Sequence, residues 1–364
     1  MGGVPALNGI CPYYTMFPLA FPLRRLRGAK KGAWVLDPFC GRGTTNLAAR
    51  MRGLPSVGLD SNPVAVAIAQ AKLSSASSAR VVSACRTILA SEKSTSIPRG
   101  EFWRLCYDPE TLGEICRVRD ALLSDCRSDA RISLRALMLG LLHGPLRQRA
   151  PAHLSNQMPR TYATKPRGAV RFWRKRAMTP PRVSLLDLVT SRGPRYLGVG
   201  LPDTPGEILV HDSRDEIGHP FGKPFSYVIT SPPYIGMDHY PRDQWLRNWF
   251  VGGPARPTWS PRDALLTDDP ERFVNELGRV WTRVGGACTR GSRLTVRFGA
   301  IRSHPINPTN VIAASLESSD CEWRILTVTD AGPATHGRRQ SDQFLATPSK
   351  SVREIDVHAV LRTN

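Results

Sequence analysis

Ala33-Trp34-Val35-Leu36-Asp37-Pro38-Phe39-Cys40-Gly41-Arg42-Gly43-Thr44-Thr45 is the stretch on which the reading of this chain turns. Residues 33–36 form a short apolar run, bounded by turn formers, that reads as a buried strand. The glycines at 41 and 43 let a backbone approach a ligand closely just before a helix. Asn46 to Met51 reads as that helix, with Gly53 as its stop. Ser56-Val57-Gly58-Leu59-Asp60 is a second strand ending in an acid, and Asn62-Pro63 opens a second helix through Leu73. Strand, loop, helix, strand, helix is the start of a doubly wound α/β fold.

The loop fits neither common phosphate motif. A P-loop needs Gly-Lys-Ser/Thr, whereas Gly43 is followed by Thr44-Thr45. A dinucleotide fingerprint needs a third glycine, and position 46 is Asn. With an acid at its front, such a loop can hold a cationic amino-acid group instead, Asp37 meeting an ammonium directly or through water. Asp60, ending the next strand, can accept from both hydroxyls of a ribose. Asp212, ending the strand read over Glu207-Ile208-Leu209-Val210-His211-Asp212, can contact the exocyclic amine of a purine. Each acid alone reads equally as a helix N-cap. The three in this order suit a nucleoside that carries an amino acid.

Farther along, Tyr227-Val228-Ile229 reads as a buried strand that exits through Thr230-Ser231-Pro232-Pro233-Tyr234. Two prolines lack the N–H groups a central ladder needs, so the backbone leaves the sheet stiff and extended. A hydroxyl, free carbonyls and an aromatic ring then stand together at the carboxyl end of a strand, where open α/β sheets bind ligands. Segments 293–298 and 323–328 read as later strands, and Pro270 opens a helix that Gly285-Gly286 ends. Between these halves, Thr111–Leu123 and Ile132–Leu142 carry apolar residues at helical spacing. Residues 74–97 read as a solvated connection with a short structured piece. Residues 145–182 are irregular and basic, with Arg147, Arg149, Arg160, Lys165, Arg167, Arg171, Arg174, Lys175, Arg176 and Arg182 and no acid.

The loop from Asp37 to Thr45 together with Ser231-Pro232-Pro233-Tyr234 resembles the DNA amino-methyltransferases, which methylate cytosine N4 or adenine N6 from S-adenosylmethionine. The resemblance covers roughly residues 10–75 and 207–345. It implies an α/β fold: a doubly wound, Rossmann-like sheet of the class I methyltransferase type with a largely helical and basic insertion. It implies three segments: 1–79 and 206–364 forming the methyltransferase domain, and 80–205 as the insertion and target-recognition region. S-adenosyl-L-methionine is the implied cofactor. Its site would take Asp37, Pro38, Phe39, Gly41, Gly43 and Thr44 from the loop and Asp60 and Asn62 from the second strand's exit. Asp212 would contact adenine, and Thr15 would come from an N-terminal segment (Tyr13–Phe17) beside the methionine end. Ser231, Pro232, Pro233 and Tyr234 would be catalytic. The cofactor loop precedes the tetrapeptide, the unpermuted order. A leading Ser leans towards cytosine N4. The segments Gly337–Gln340 and Gln343-Phe344 also look family-like.

Charge points the same way. The chain has 50 Lys+Arg against 30 Asp+Glu, a net +20. That imbalance favours a polyanionic partner, nucleic acid first, and the resemblance implies double-stranded DNA with its target base flipped out. Carbon-5 cytosine chemistry would need a cysteine nucleophile in Pro-Cys context, and no such dipeptide occurs. The eight cysteines show no zinc spacing, so no metal is expected and reduced thiols are. No secretory leader or membrane span is read, which implies a cytoplasmic, nucleoid-associated protein, monomeric or homodimeric, with a cognate restriction endonuclease as an optional partner. The competing readings are an RNA base methyltransferase and a non-catalytic nucleic-acid-binding protein that kept the fold.

Overall fold

The structure is a computed structural model that describes residues 3–13, 17–91, 94, 96–145, 152–158, 165–198, 200–236, 241–257, 269–300, 306–333 and 353–363. The chain forms two compact units. One comprises Tyr14–Ala69, Pro202–His239 and Pro261–Asn364; the other comprises Met1–Tyr13, Gln70–Leu201 and Tyr240–Ser260.

The first unit is built on a seven-stranded sheet: β1 (Trp34–Asp37), β2 (Ser56–Asp60), β3 (Gly206–Val210), β4 (Phe225–Thr230), β5 (Cys288–Gly299), β6 (Glu322–Pro333) and β7 (Arg353–Thr363). Its order is β3-β2-β1-β4-β5-β7-β6. The pairs from β3 through β5 are parallel, and β7 runs antiparallel to β5 and β6. After β1 the chain builds outwards to β2 and β3, then returns to β1's other side with β4. The sheet therefore has its switch point between β1 and β4.

Strand alternation explains the two layers of cover. Successive residues point to opposite faces. Leu36 and Val228 join one core with Phe273, Leu277 and Trp281 of the helix Pro270–Gly286 and with Ile312 and Leu316 of the helix Pro308–Glu317. Val35 and Ile229 join the opposite core with Phe21, Ala48 and Ala49. Those last two lie on the helix Thr44–Met51, and Phe21 lies on the helix Ala20–Arg25.

The sheet also buries an ion pair. Arg297 on β5 faces Asp356 on β7 across the ladder. Its Nε and Nη2 donate to the two carboxylate oxygens at 2.7 and 2.9 Å, with both side chains under one-tenth exposed. Arg25 donates to the same carboxylate at 3.2 Å, and the Arg297 guanidinium lies 3.9 Å from the centroid of the Phe21 ring.

The second unit is helical. Among the described residues it holds Ser78–Leu89, Glu101–Cys106, Pro109–Ser124, Asp129–Leu141, Pro166–Lys175, Leu185–Tyr196 and Pro241–Phe250. Side chains cap four of these: Ser77 accepts from the Arg80 N–H, Asp108 from Glu110 and Thr111, Ser128 from Arg131, and Ser184 from Asp187. Aromatic rings fill its core. Trp103 meets Trp249 at 4.6 Å, and Phe102 meets Trp245 at 4.9 Å and Trp173 at 5.7 Å.

Several expectations need correction. Residues 78–89 form a full three-turn helix, not a solvated connection; Val81, Cys85 and Ile88 bury one face, and the serines sit at its cap and outer side. Residues 166–175 are helical within the stretch read as irregular, begun by Pro166 at its first turn. The strand β7 and the helices Leu185–Tyr196 and Pro241–Phe250 had no counterpart in the sequence reading. Arg147, Arg149, Arg160 and the segments 337–340 and 343–344 lie outside the described residues. No helix among the described residues is long and apolar enough to cross a membrane.

Candidate functional site

Four strand ends meet in a row at the switch point. Asp37 ends β1, Asp60 ends β2, Thr230 ends β4, and Asp212 lies two residues beyond β3. Ser231 to Tyr234 leaves from β4 next to Asp37.

The two glycines of the loop take the left-handed conformation, φ 51° at Gly41 and 77° at Gly43, where a side chain would strain the backbone. Gly43 is also the N-cap of the helix Thr44–Met51. A Cβ on Gly41 would meet nothing within 4 Å, so space remains open above the loop. Behind it the packing is tight. A Cβ on Gly58 of β2 would stand 2.8 Å from Asn46 Oδ1 and 3.0 Å from the Cys40 Cβ.

Hydrogen bonds hold the loop to both neighbouring strands. The Gly41 N–H donates to Asp60 Oδ2 at 2.9 Å, and the Asn62 N–H donates to Asp60 Oδ1 at 2.8 Å. Thr45 Oγ1 donates to the Ile229 carbonyl at 3.1 Å. Thr230 Oγ1 donates to Asp37 Oδ1 at 2.6 Å, across the switch point itself. The Phe39 N–H reaches the same oxygen at 3.2 Å. Asp37 is fully buried, yet its Oδ2 has no hydrogen-bond partner among the described residues. Burial raises the Asp37 carboxyl to about 6 against the pull of the Thr230 hydroxyl, and the nearby Asp60 charge adds to the rise. Asp60 is likewise raised to about 6, by burial against its two backbone N–H donors. Burial and both carboxylates push the Cys40 thiol well up, so it is no nucleophile at neutral pH.

The remaining expected residues fall as follows. Asn62 accepts from the Val64 N–H at 2.9 Å, capping the helix Pro63–Leu73. Pro38 offers its carbonyl to the Ser213 hydroxyl, which ties the exit of β3 to the loop. Phe39 packs at the margin of the larger core, and Thr44 is buried in the first turn of its helix. Asp212 is bound by Arg214, whose Nε lies 2.9 Å from Oδ1 and which also reaches Glu276 at 2.9 Å. Its carboxyl is held below the usual range, where the Arg214 bonds outweigh burial. Any purine amine there would share the carboxylate with Arg214. Ser231 is half-buried, and its hydroxyl has no hydrogen bond among the described residues. Pro232 is buried and Pro233 half-buried. The Tyr234 ring stands edge-on to Phe298 at 5.2 Å, and its hydroxyl lies 2.8 Å from Glu354 Oε1. Thr15 lies outside the described residues.

The sequence reading quoted Thr230 and Thr45 within its motifs without giving either a role, and missed Arg214 and Glu354 altogether. Thr230 had a signal, a hydroxyl at the last position of a strand facing Asp37's strand. Glu354 had none, being 120 positions from Tyr234.

Comparison with known proteins adds to this. Residues 8–71 match the family model described as DNA methylase, of the N6/N4 type. No curated protein matches the sequence. Among solved structures, an rRNA methyltransferase, AviRa, from Streptomyces viridochromogenes is 13% identical, covering 98% of this chain and 89% of that one, with a TM-score of 0.34. Magnesium protoporphyrin IX methyltransferase from Synechocystis PCC 6803, solved with bound S-adenosylmethionine, is 11% identical over 100% and 80%, with a TM-score of 0.34. An rRNA methylase from Streptococcus thermophilus is 6% identical over 96% and 100%, with a TM-score of 0.36. At such scores the fold rests on the sheet order itself. That order, parallel from β3 through β5 with an antiparallel β7 between β5 and β6, is a doubly wound, Rossmann-like sheet, and the family match falls on its first two strands.

The matched segment spans β1, the loop and β2, the part of the fold that would hold the cofactor. Its residues fit S-adenosyl-L-methionine. A buried carboxylate oxygen without a partner suits an ammonium, a second acid suits a ribose, and the glycine loop leaves room between them. Match and site together support S-adenosyl-L-methionine-dependent methyl transfer.

Proposed function

We propose that this protein is a DNA methyltransferase that moves a methyl group from S-adenosyl-L-methionine to an exocyclic base amine, cytosine N4 favoured over adenine N6. The observation that carries the reading is the 2.6 Å hydrogen bond from Thr230 to Asp37. It locks the cofactor loop to the strand that delivers Ser231-Pro232-Pro233-Tyr234, so that donor and acceptor would share one rigid corner of the sheet.

The bound cofactor supplies an electrophilic methyl group on a sulfonium. Asp37 Oδ2 takes its ammonium, and the spare lone pairs of Asp60 take ribose hydroxyls. An exocyclic base amine is a poor nucleophile because its lone pair delocalises into the ring. The free Ser231 hydroxyl and the Pro232 carbonyl accept its two N–H bonds and draw the nitrogen towards a tetrahedral, nucleophilic shape. Tyr234 is 9% exposed and packed in the larger core, so as placed it backs this corner rather than offering a face to the base, and its bond to Glu354 fixes the ring. Catalysis is then positioning and electrostatics, with no covalent intermediate. The base must leave the duplex at a cost of a few kcal/mol. The helical, basic unit is the target-recognition region. DNA rather than RNA is favoured by the DNA methylase match and by the leading Ser.

Ser231→Ala tests the assignment. Binding of S-adenosyl-L-methionine by calorimetry is expected to stay within about twofold, while methyl transfer to duplex DNA falls by roughly 10²–10³. Unchanged turnover rejects the role of Ser231. Transfer to RNA with none to DNA rejects the substrate.

A further inference from the structure

The helix Pro166–Lys175 carries charges that the proposed chemistry does not use. Ala169 and Trp173, one turn apart, are fully buried. The Trp173 indole N–H donates to the Gln157 carbonyl at 3.3 Å, and its ring packs on Phe102. That stripe fixes which side of the helix faces the core. At 3.6 residues per turn, Arg167, Arg171 and Lys175 point within about 40° of the opposite direction. All three are exposed, and none makes an ion pair among the described residues. Arg174, off this line, is bound to Glu101, and Arg182 to Glu110.

Such a stripe works against the helix. Like charges at i, i+4 destabilise by roughly 0.2–0.5 kcal/mol per pair, and Arg167 lies in the first turn, where the helix dipole disfavours a cation. Neighbouring helices of the same unit avoid this. Pro109–Ser124 mixes Glu110, Glu114 and Asp120 with Arg117 and Arg119. Between Lys165 and Arg182 there is no acid at all. An external polyanion removes the conflict.

We infer that Arg167, Arg171 and Lys175 form a docking stripe for one phosphate strand of duplex DNA. This rests on the reading of the protein as a DNA methyltransferase. The stripe is about 12 Å long, with charges about 6 Å apart. A strand of the duplex presents a phosphate about every 3.4 Å of axis, so the stripe covers three to four of them. A duplex is favoured over a single strand. Single strands bind by stacking bases on aromatic platforms, and among the described residues Phe172, on the same helix, is covered by the Arg176 guanidinium at 4.1 Å from its centroid. Held on phosphates, these cations set register on the backbone rather than sequence.

Salt dependence of binding tests this. The full chain is titrated onto a short labelled DNA duplex at several salt concentrations. In the R167Q/R171Q/K175Q variant, the slope of log K against log salt is expected to shrink by about 2.7, roughly 0.9 per lost phosphate contact. A control, R290Q/R324Q/R362Q, removes three exposed cations of the sheet unit and should leave the slope unchanged. Circular dichroism of the first variant should match the wild type, since its buried stripe is untouched. An unchanged slope overturns the docking stripe and leaves the methyltransferase reading standing. Equal losses in variant and control also overturn it, as does an effect on an RNA duplex without one on DNA. Wild-type protein that binds the cofactor but no DNA at any salt overturns the DNA reading as well.

Discussion

Asp37→Asn is expected to weaken S-adenosyl-L-methionine binding by at least about thirtyfold while leaving the protein as stable as before, or more so. Truncating one member of a buried charge pair costs about 2–5 kcal/mol of affinity, and the lower figure is about thirtyfold. Asparagine keeps Oδ1, and with it the bonds from Thr230 and Phe39. What it removes is the charge on Oδ2, the buried oxygen without a partner. That charge burdens the fold. A carboxyl raised from 3.8 to about 6 disfavours the folded state at neutral pH by on the order of 3 kcal/mol. The sign follows from linkage. The neutral form is favoured in the folded chain, so stability from this group is greatest below pH 4. It declines between about 4 and 6 and is flat above. Asp60, also raised to about 6, behaves alike. Cofactor affinity runs the other way, because a cationic ligand needs both carboxylates ionised. Calorimetry at about pH 5 should find binding at least about tenfold weaker than at about pH 7.5. In the Asn variant that pH dependence should be smaller. A variant that binds normally would remove Asp37 from the site.

The largest effect on stability is expected far from the chemistry. Asp356→Asn leaves Arg297 buried beside Phe21 without its countercharge. Breaking a buried pair from one side costs about 3–5 kcal/mol, on the order of 10 °C in melting temperature for a unit of this size. Arg25 is half-exposed and keeps access to water, so Arg25→Gln should cost much less. Thermal unfolding of the two variants side by side checks the ranking, and equal shifts would contradict it.

This ion pair also shows where the sequence was and was not legible. The early strands were plain because β1, β2 and β4 are short apolar runs with both faces covered. The helix Pro109–Ser124 was plain from the apolar spacing of 111–123, and Pro270–Gly286 from its proline start and glycine stop. Strand β7 was not, although Ile355, Val357, Ala359 and Leu361 alternate. The acid at 356 looks unsuited to a central position until Arg297 and Arg25, far away in sequence, neutralise it. The helix at 78–89 was hidden by its serines, whose capping role needs three-dimensional context.

At the candidate site, the acids and the Gly loop were visible as types in order. Their ranking was not. Asp37 differs from Asp212 because one keeps a partnerless buried oxygen and the other is bound by Arg214. No local pattern predicts that, since Arg214 also meets Glu276 on a helix 62 positions farther along the chain. Trp173 illustrates the same limit from the other side. In sequence it sits in a basic run where it could wedge into DNA or, as the favoured reading, anchor the segment; in the fold it is buried and anchors its own helix, and the cations around it point outwards.

The central claim is that an exocyclic base amine receives the methyl group at Ser231. Its most direct test is mass spectrometry of nucleosides from duplex DNA incubated with the protein and isotopically labelled S-adenosyl-L-methionine. Labelled N4-methylcytosine is the expected product, with N6-methyladenine as the other outcome consistent with amine chemistry. Label appearing in 5-methylcytosine, or appearing only when RNA replaces the DNA, would contradict it.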